Sequence, residues 1–273
     1  MVIESIMNLK EANRRPYEMC LLGAFYAAVG IALAWITPFT DKSQAAVFLT
    51  TIASIPFLVA ELRKEEKEIK PKLLIREHKD VVAIFFFLFL GFLASYSAMA
   101  AMLPTDVYNN IFSSQVGEIN RIAGIFSQTG AATASCGESQ LSMFICFISN
   151  NFSVLFFCLI FSFIFGSGAI FLLTWNASTL GVAIGTTIRE YIPVVGHLQA
   201  INIGLGRYMI HGLPEMLSYL IGAIAGGIIS VAFVRHEYRS PKFYSVLKDS
   251  IGLIMVSFLL LVVAAVIEVW LMS

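Results

Sequence analysis

Charge is scarce in this sequence. Asp, Glu, Lys and Arg together make up 13% of its 273 residues, where a soluble domain carries about 25%. Hydrophobic residues make up 58%, and mean hydropathy is +0.81. So few charges cannot clothe a water-exposed surface, which excludes an ordinary soluble domain and makes lipid much of the solvent. Formal charge sums to zero and no basic domain stands out, so nucleic acid is not an expected partner. Catalytic signatures are missing too. There is no H-E-x-x-H, no nucleophile motif and no phosphate-cradling loop, and Gly196, Gly204 and Gly206 do not open a strand–helix unit. Internal repeats and low-complexity tracts are also absent, so residues 1–273 read as a single integral membrane domain.

Cysteine is sparse, at four residues with no C-x-x-C spacing. Cys20, Cys146 and Cys158 lie in apolar runs and read as small packed hydrophobes. Cys136 sits in a polar loop, Ala134-Ser135-Cys136-Gly137-Glu138. A Cys136–Cys146 bridge is the less favoured alternative. The first apolar run, Met19 to Phe39, exceeds the usual signal-peptide core of about 7–15 residues and lacks an A-x-A-like cleavage site, so it is expected to be a retained helix.

What the sequence does have is long apolar stretches. A membrane span needs about 20 mostly apolar residues. Seven stretches qualify or nearly do: 19–38, 44–62, 81–103, 141–165, 168–188, 214–234 and 251–272. The expected fold is therefore an all-α, polytopic bundle of about seven spans. Basic residues set its orientation, because Lys and Arg collect in cytoplasmic loops. Lys10, Arg14 and Arg15 precede the first span. Arg63, Lys64, Lys67, Lys70, Lys72, Arg76 and Lys79 crowd the connection after the second, and Arg235, Arg239, Lys242 and Lys248 the one before the last. Seven spans place all three clusters on one side, with a cytoplasmic N-terminus and an extracytoplasmic C-terminus in the cell membrane. Residues 63–80 are expected to extend helices into the cytoplasm. The connection 104–140 is expected outside, with a helix over 105–126. Residues 192–210, apolar but broken by glycines, read as a re-entrant or interfacial segment.

Polar residues inside spans must find partners, because an unpaired amide in hydrocarbon is costly. Asn150 and Asn151 fall in the fourth span and Asn176 in the fifth. They either hydrogen-bond across helices or line a polar path. Gly181 and Gly185 form a G-x-x-x-G in span five, and Gly222 and Gly226 another in span six. With span five ending near Arg189 and span six opening at Pro214, both pairs fall at overlapping depth. A tight antiparallel pairing of these two spans is expected there. Pro214 suits a first helical turn and Glu215 would follow it there, favoured by the helix dipole. His211, Glu215, Arg189, Glu190 and Glu268 are then expected to meet near the outer surface. Such a cluster could lock helix ends, face a partner, or support chemistry. The spacing H-G-L-P-E is not a zinc motif, and zinc needs at least three protein ligands, so no metal, cofactor or catalytic residue is assigned.

From the fourth span onward the sequence resembles the stage II sporulation protein M family. Asn150-Asn151, Gly166 and Gly168, Asn176 with Gly181, and His211-Gly212 followed by Glu215 and Gly222 to Gly227 carry the resemblance. Ala177 stands where the family commonly has Gly, and Ile210 where it often has Pro. The resemblance implies a polytopic membrane protein, and in sporulating bacteria a scaffold that anchors cell-wall hydrolases during engulfment. The leading expectation is a non-enzymatic scaffold or anchor for a membrane or surface complex. Its partners would be the bilayer, membrane or surface proteins, and a second copy of the chain. Two alternatives stay open: a transporter or lipid-handling protein using a polar intramembrane cavity, and an intramembrane enzyme using His211 and Glu215.

Overall fold

The computed structural model describes residues 15–68, 79–126, 139–165, 168–234 and 241–272. Among them are nine α-helices and no strand. A short 3-10 turn, Pro16–Glu18, leads into α1 (Met19–Ile36). Then follow α2 (Lys42–Glu68), α3 (Lys79–Met102), α4 (Thr105–Ile111), α5 (Ser113–Phe126), α6 (Gln140–Phe165), α7 (Ala169–Val195), α8 (His197–Val234) and α9 (Pro241–Met272). Seven helices are long and apolar enough to cross a membrane: all but α4 and α5. This is a multi-pass membrane protein.

Small residues decide how the spans meet. Without water to drive them together, membrane helices associate by close backbone contact. Gly23 of α1 and Gly91 of α3 meet face to face, Gly23 against Leu88 and Gly91 against Cys20 and Ala24. Gly30 seats on Ala46 and Thr50 of α2. Helix α7 is the hub, packing on α3 along one side and on α8 along the other. Helices α6 and α9 then close on α8. The first two spans thus join the bundle chiefly through α3.

Helices α7 and α8 form one continuous hairpin. The chain turns at Gly196, whose φ of 80° and ψ of 169° suit only glycine. Gly204 lies on Ile184 and Ile188, and Gly212 on Leu180. Residues 197–210 are therefore not re-entrant: they are the first turns of a 38-residue helix. Pro214 does not start that helix but lies inside it.

This register also corrects the expected glycine pairing. Gly181 and Gly185 face α3, against Leu93, Tyr96, Ser97 and Ala100. Gly222 faces Leu155 of α6 and Ser257 of α9, and Gly226 faces Leu159 and Ser162 of α6. The turn at Gly196 places Gly222 beside the first turn of α7. At ~1.5 Å per residue, that is roughly 18 Å from Gly181. Each G-x-x-x-G serves a different neighbour.

The connection after α3 differs from expectation as well. Its helix is two helices, broken at Phe112, and it is built into the bundle. Phe112 is fully buried, with its ring 6.1 Å from that of Tyr96 and 5.7 Å from that of Tyr108. The extension of α2 past Val59 is present as far as Glu68. Cys146 is in a disulfide, contrary to its reading as a packed hydrophobe, while Cys20 and Cys158 are free thiols. Cys136 lies outside the described residues, as does Gly166.

Candidate functional site

The polar residues of the C-terminal half converge where α6, α8 and α9 meet. Asn151 is buried, Glu215 half-buried. The Asn151 amide donates to Glu215 Oε1 at 2.5 Å. Asn150 donates to Asn151 Oδ1 at 3.1 Å, so the two side chains form a short relay. Tyr219, one turn beyond Glu215, is buried within electrostatic reach of Glu215, Cys158 and Glu268. Glu268, from α9, also senses the charge of Glu215. His211 stands one turn before Glu215 with its Nδ1 buried and unpartnered.

The depth of this cluster is not the one the sequence suggested. Asn151 sits near the middle of the 26-residue α6, roughly 16 Å or more from either end at ~1.5 Å per residue. Glu215 shares that depth through its hydrogen bond. It is an intramembrane carboxylate rather than a residue at the outer mouth. The error traces to Pro214. Because α8 starts at His197, Glu215 lies several turns inside the helix. Glu268 alone stays near a helix end, four residues from Met272.

Serine hydroxyls clamp the helices just below. Ser218 donates to the Ser257 carbonyl at 2.7 Å, and Ser257 returns a bond to the Ser218 carbonyl at 2.6 Å. Ser162 of α6 donates to the carbonyl of Ala223 at 2.6 Å. The sequence reading missed all three; the available signal was a lone hydroxyl in an otherwise apolar run. Asn176 does not join the cluster. Its amide donates to Leu172 within its own helix at 2.8 Å.

Arg189 and Glu190 do not join it either. Glu190 is exposed. Arg189 donates through Nη1 to the carbonyl of Leu103 and through Nη2 to Thr105 Oγ1, the latter at 2.7 Å. Its guanidinium also lies 5.3 Å from the Tyr108 ring centroid. The last carbonyls of a helix lack intrahelical partners and carry partial negative charge, so a cation there both satisfies and neutralises them. Arg189→Gln should therefore lower stability by about 1–2 kcal/mol, with Arg189→Lys recovering part of the loss. A thermal unfolding midpoint in detergent measures it, and an unchanged midpoint for Arg189→Gln would remove this cap from the account.

Chemically, the cluster offers carboxylates, amides and one imidazole, but no metal centre. Among the described residues no three His, Cys, Asp or Glu side chains converge as ligands. His197 lies at the start of α8, beside the turn at Gly196, more than three helical turns from His211. The arrangement can bind helices to one another and can hold or pass a single positive charge.

A family model described as Stage II sporulation protein M matches residues 82–271, well over half of the chain. The match begins at the start of α3 and takes in both the hub helix α7 and the α6–α8–α9 cluster. No curated protein and no solved structure matches the chain.

Proposed function

Because the chain belongs to the stage II sporulation protein M family, we propose that it is a non-enzymatic membrane scaffold that anchors a complex at the cell surface. The observation that carries this reading is the α7–α8 hairpin. Arg189 meets the end of α3, and the turns beyond it continue past that end. Val194 and Leu198 are both 76% exposed at the tip, with Tyr191 and Ile201 also exposed. A shallow pocket lies beside Leu198, lined also by Val195, His197, Gln199 and Asn202. Exposed apolar side chains on a projecting hairpin suit attachment of a partner protein.

Two features support an extracytoplasmic position for this hairpin. The described basic residues Arg15, Lys79 and Lys248 lie toward the helix ends away from the hairpin, the face that the positive-inside rule makes cytoplasmic. Cys146, in a disulfide, lies in the second turn of α6 on the hairpin face, and disulfides persist in oxidising compartments. In this orientation α1 begins at the cytoplasmic face and α9 ends at the outer one.

Crosslinking and pull-down from native membranes test the scaffold. A partner protein should be recovered with the native chain. Recovery should fall at least about tenfold with Val194→Glu/Leu198→Glu, since each charge must be desolvated on docking. Isolation of the native chain only as a lone monomer would overturn the reading.

A second reading is a transporter, favoured by one observation: Glu215 is a carboxylate deep within a membrane bundle, where ionisable groups usually mark ion or substrate paths. Neutral substitution of Glu215 separates it from the scaffold.

A further inference from the structure

Helix α6 is the least covered of the seven spans. Its buried stripe, Phe147, Asn151, Leu155, Cys158 and Ser162, packs on the bundle. On the side turned away from the bundle Asn150, Ser153, Phe157, Ile160 and Ile164 are all exposed. They recur at intervals of three and four residues, the spacing that keeps one seam of a helix facing a second helix. Lipid alone asks nothing of such a side but apolar atoms. The outward face of α9 meets that demand, with Met255, Phe258, Leu259, Val263 and Val266 exposed. The outward face of α6 does not. It carries Asn150, with Ser149 and Ser153 exposed beside it.

Asn150 stands roughly 15 Å or more from either end of α6 at ~1.5 Å per residue, far from headgroups and water. Its Nδ2 donates to Asn151 Oδ1 at 3.1 Å, which uses one of its two N–H groups. The second N–H and the carbonyl oxygen have no partner among the described residues. An amide left so in hydrocarbon is costly. Three other amides deep in the chain find partners inside it. Gln115, fully buried, donates to Ser178 at 3.4 Å, Asn176 to Leu172 at 2.8 Å and Asn151 to Glu215 at 2.5 Å. Of the four, Asn150 alone keeps both a donor and an acceptor turned outward.

One donor and one acceptor on the same side chain are a self-complementary set. Every copy of the chain takes the same orientation in the membrane. Two copies that pair side by side are then related by a two-fold axis along the membrane normal, and each residue of the seam meets its own counterpart at the same depth. Symmetry therefore delivers Asn150 to Asn150. A span of a different protein would need a matched amide at this one depth, whereas a second copy always supplies it. Ser149 and Ser153 bracket Asn150 in a small-x-x-x-small pattern, and Ser153 folds its hydroxyl back onto the Ser149 carbonyl at 2.8 Å. Such residues let two backbones come close enough for a short amide to reach across. We propose that α6 is a self-association seam through which two copies of the chain pair, the Asn150 amide of each donating to Asn150 Oδ1 of the other. Phe157, Ile160 and Ile164 extend the contact toward the α7 end of the helix. Val194 and Leu198 are not part of the seam, so pairing leaves the hairpin tip free.

Two measurements on the full-length protein test this. The first is oxidative crosslinking in native membranes, with Cys20→Ala and Cys158→Ala removing the free thiols and the native disulfide retained. Ser153→Cys and Phe157→Cys should each yield a covalent dimer of the chain. Val29→Cys, exposed on α1, should not. Equal dimer from all three positions would mean random collision and overturn the seam, as would none from Ser153→Cys and Phe157→Cys. A Ser153→Cys product with a different protein in place of a second copy would overturn the choice of occupant. The second measurement counts subunits by single-molecule photobleaching in lipid vesicles over a range of protein-to-lipid ratios. Asn150→Leu, whose side chain lies outside the core, should raise the dissociation constant of the dimer at least about tenfold. Asn150→Gln, which keeps both the N–H groups and the carbonyl, should stay within about threefold of native. Val194→Glu/Leu198→Glu should leave the constant unchanged, which separates pairing from attachment at the hairpin. A native chain that is monomeric at every ratio would overturn the proposal. So would a dimer indifferent to Asn150→Leu, or one lost with the hairpin substitutions instead.

Discussion

Gly91→Leu will leave little folded protein. A side chain at this position would begin on the carbonyl of Cys20 and the amide of Ala24, and one at Gly23 on the carbonyl of Leu88. These are backbone atoms, so no rotamer change relieves the overlap. Overpacked sites that can adjust cost about 1–3 kcal/mol, and this one must separate two helices, so about 3 kcal/mol or more is expected. That is a large part of a total stability of about 5–15 kcal/mol. The damage would spread, because α1 and α2 reach the rest of the bundle mainly through α3. Gly117→Ala is the control: a Cβ there meets nothing within 4 Å, and alanine favours the helix, so stability should hold or rise slightly. Size-exclusion profiles and denaturant midpoints in detergent check both. A Gly91→Leu protein that elutes and unfolds like the native one would refute the close α1–α3 crossing.

The glycines show how far the sequence could be read. That small residues mark close crossings follows from physics that holds for any membrane bundle, and Gly181, Gly185, Gly222 and Gly226 do lie at crossings. Which helix each one meets depends on topology and register, and here the reading failed. It set the turn between spans five and six over a long connection, because Arg189 and Glu190 close span five and Gly196, Gly204 and Gly206 break the apolar run 192–210. In the structure Arg189 is consumed in capping α3, Pro193 falls in the last turn of α7, and Gly196 alone makes the turn. Pro214 misled in a similar way. Proline favours a first helical turn, but membrane helices tolerate it internally when neighbours satisfy the freed carbonyl. Shifting the start of α8 from Pro214 to His197 carried Glu215 from the surface to mid-bundle. The seven spans were legible because apolar length alone defines them. The depth of Glu215 was not, because it hung on one helix boundary. Gln115 was invisible for another reason. It lies in a polar segment that reads as solvent-exposed, and only the packing of Phe112 against Tyr96 draws that segment inward.

The Asn151–Glu215 bond offers the sharpest test between the two functional readings. Asn151→Leu removes the donor and leaves the Glu215 acceptor unmet among apolar neighbours, which should cost about 1–3 kcal/mol. Glu215→Leu removes the acceptor and leaves the Asn151 amide unmet at a similar cost. The double variant should recover part of the loss, since neither polar group remains to be desolvated. Interhelical hydrogen bonds in membranes average about 0.6 kcal/mol in double-mutant cycles and reach about 1.7, and the coupling of this pair is expected in that range. A denaturant series on the four proteins yields the coupling, and a value near zero would mean the bond does not clamp α6 to α8. Glu215→Gln then divides the readings. Its amide oxygen still accepts from Asn151, so stability should change little. A scaffold needs only that geometry, and partner recovery should be native. A transporter needs a group that can carry charge, and flux through Glu215→Gln in proteoliposomes should fall at least about tenfold even though the protein is folded. Retained partner recovery would confine Glu215 to holding helices. Lost flux in a stable Glu215→Gln protein would make the α6–α8–α9 cluster a conduction site and displace the scaffold as the primary role.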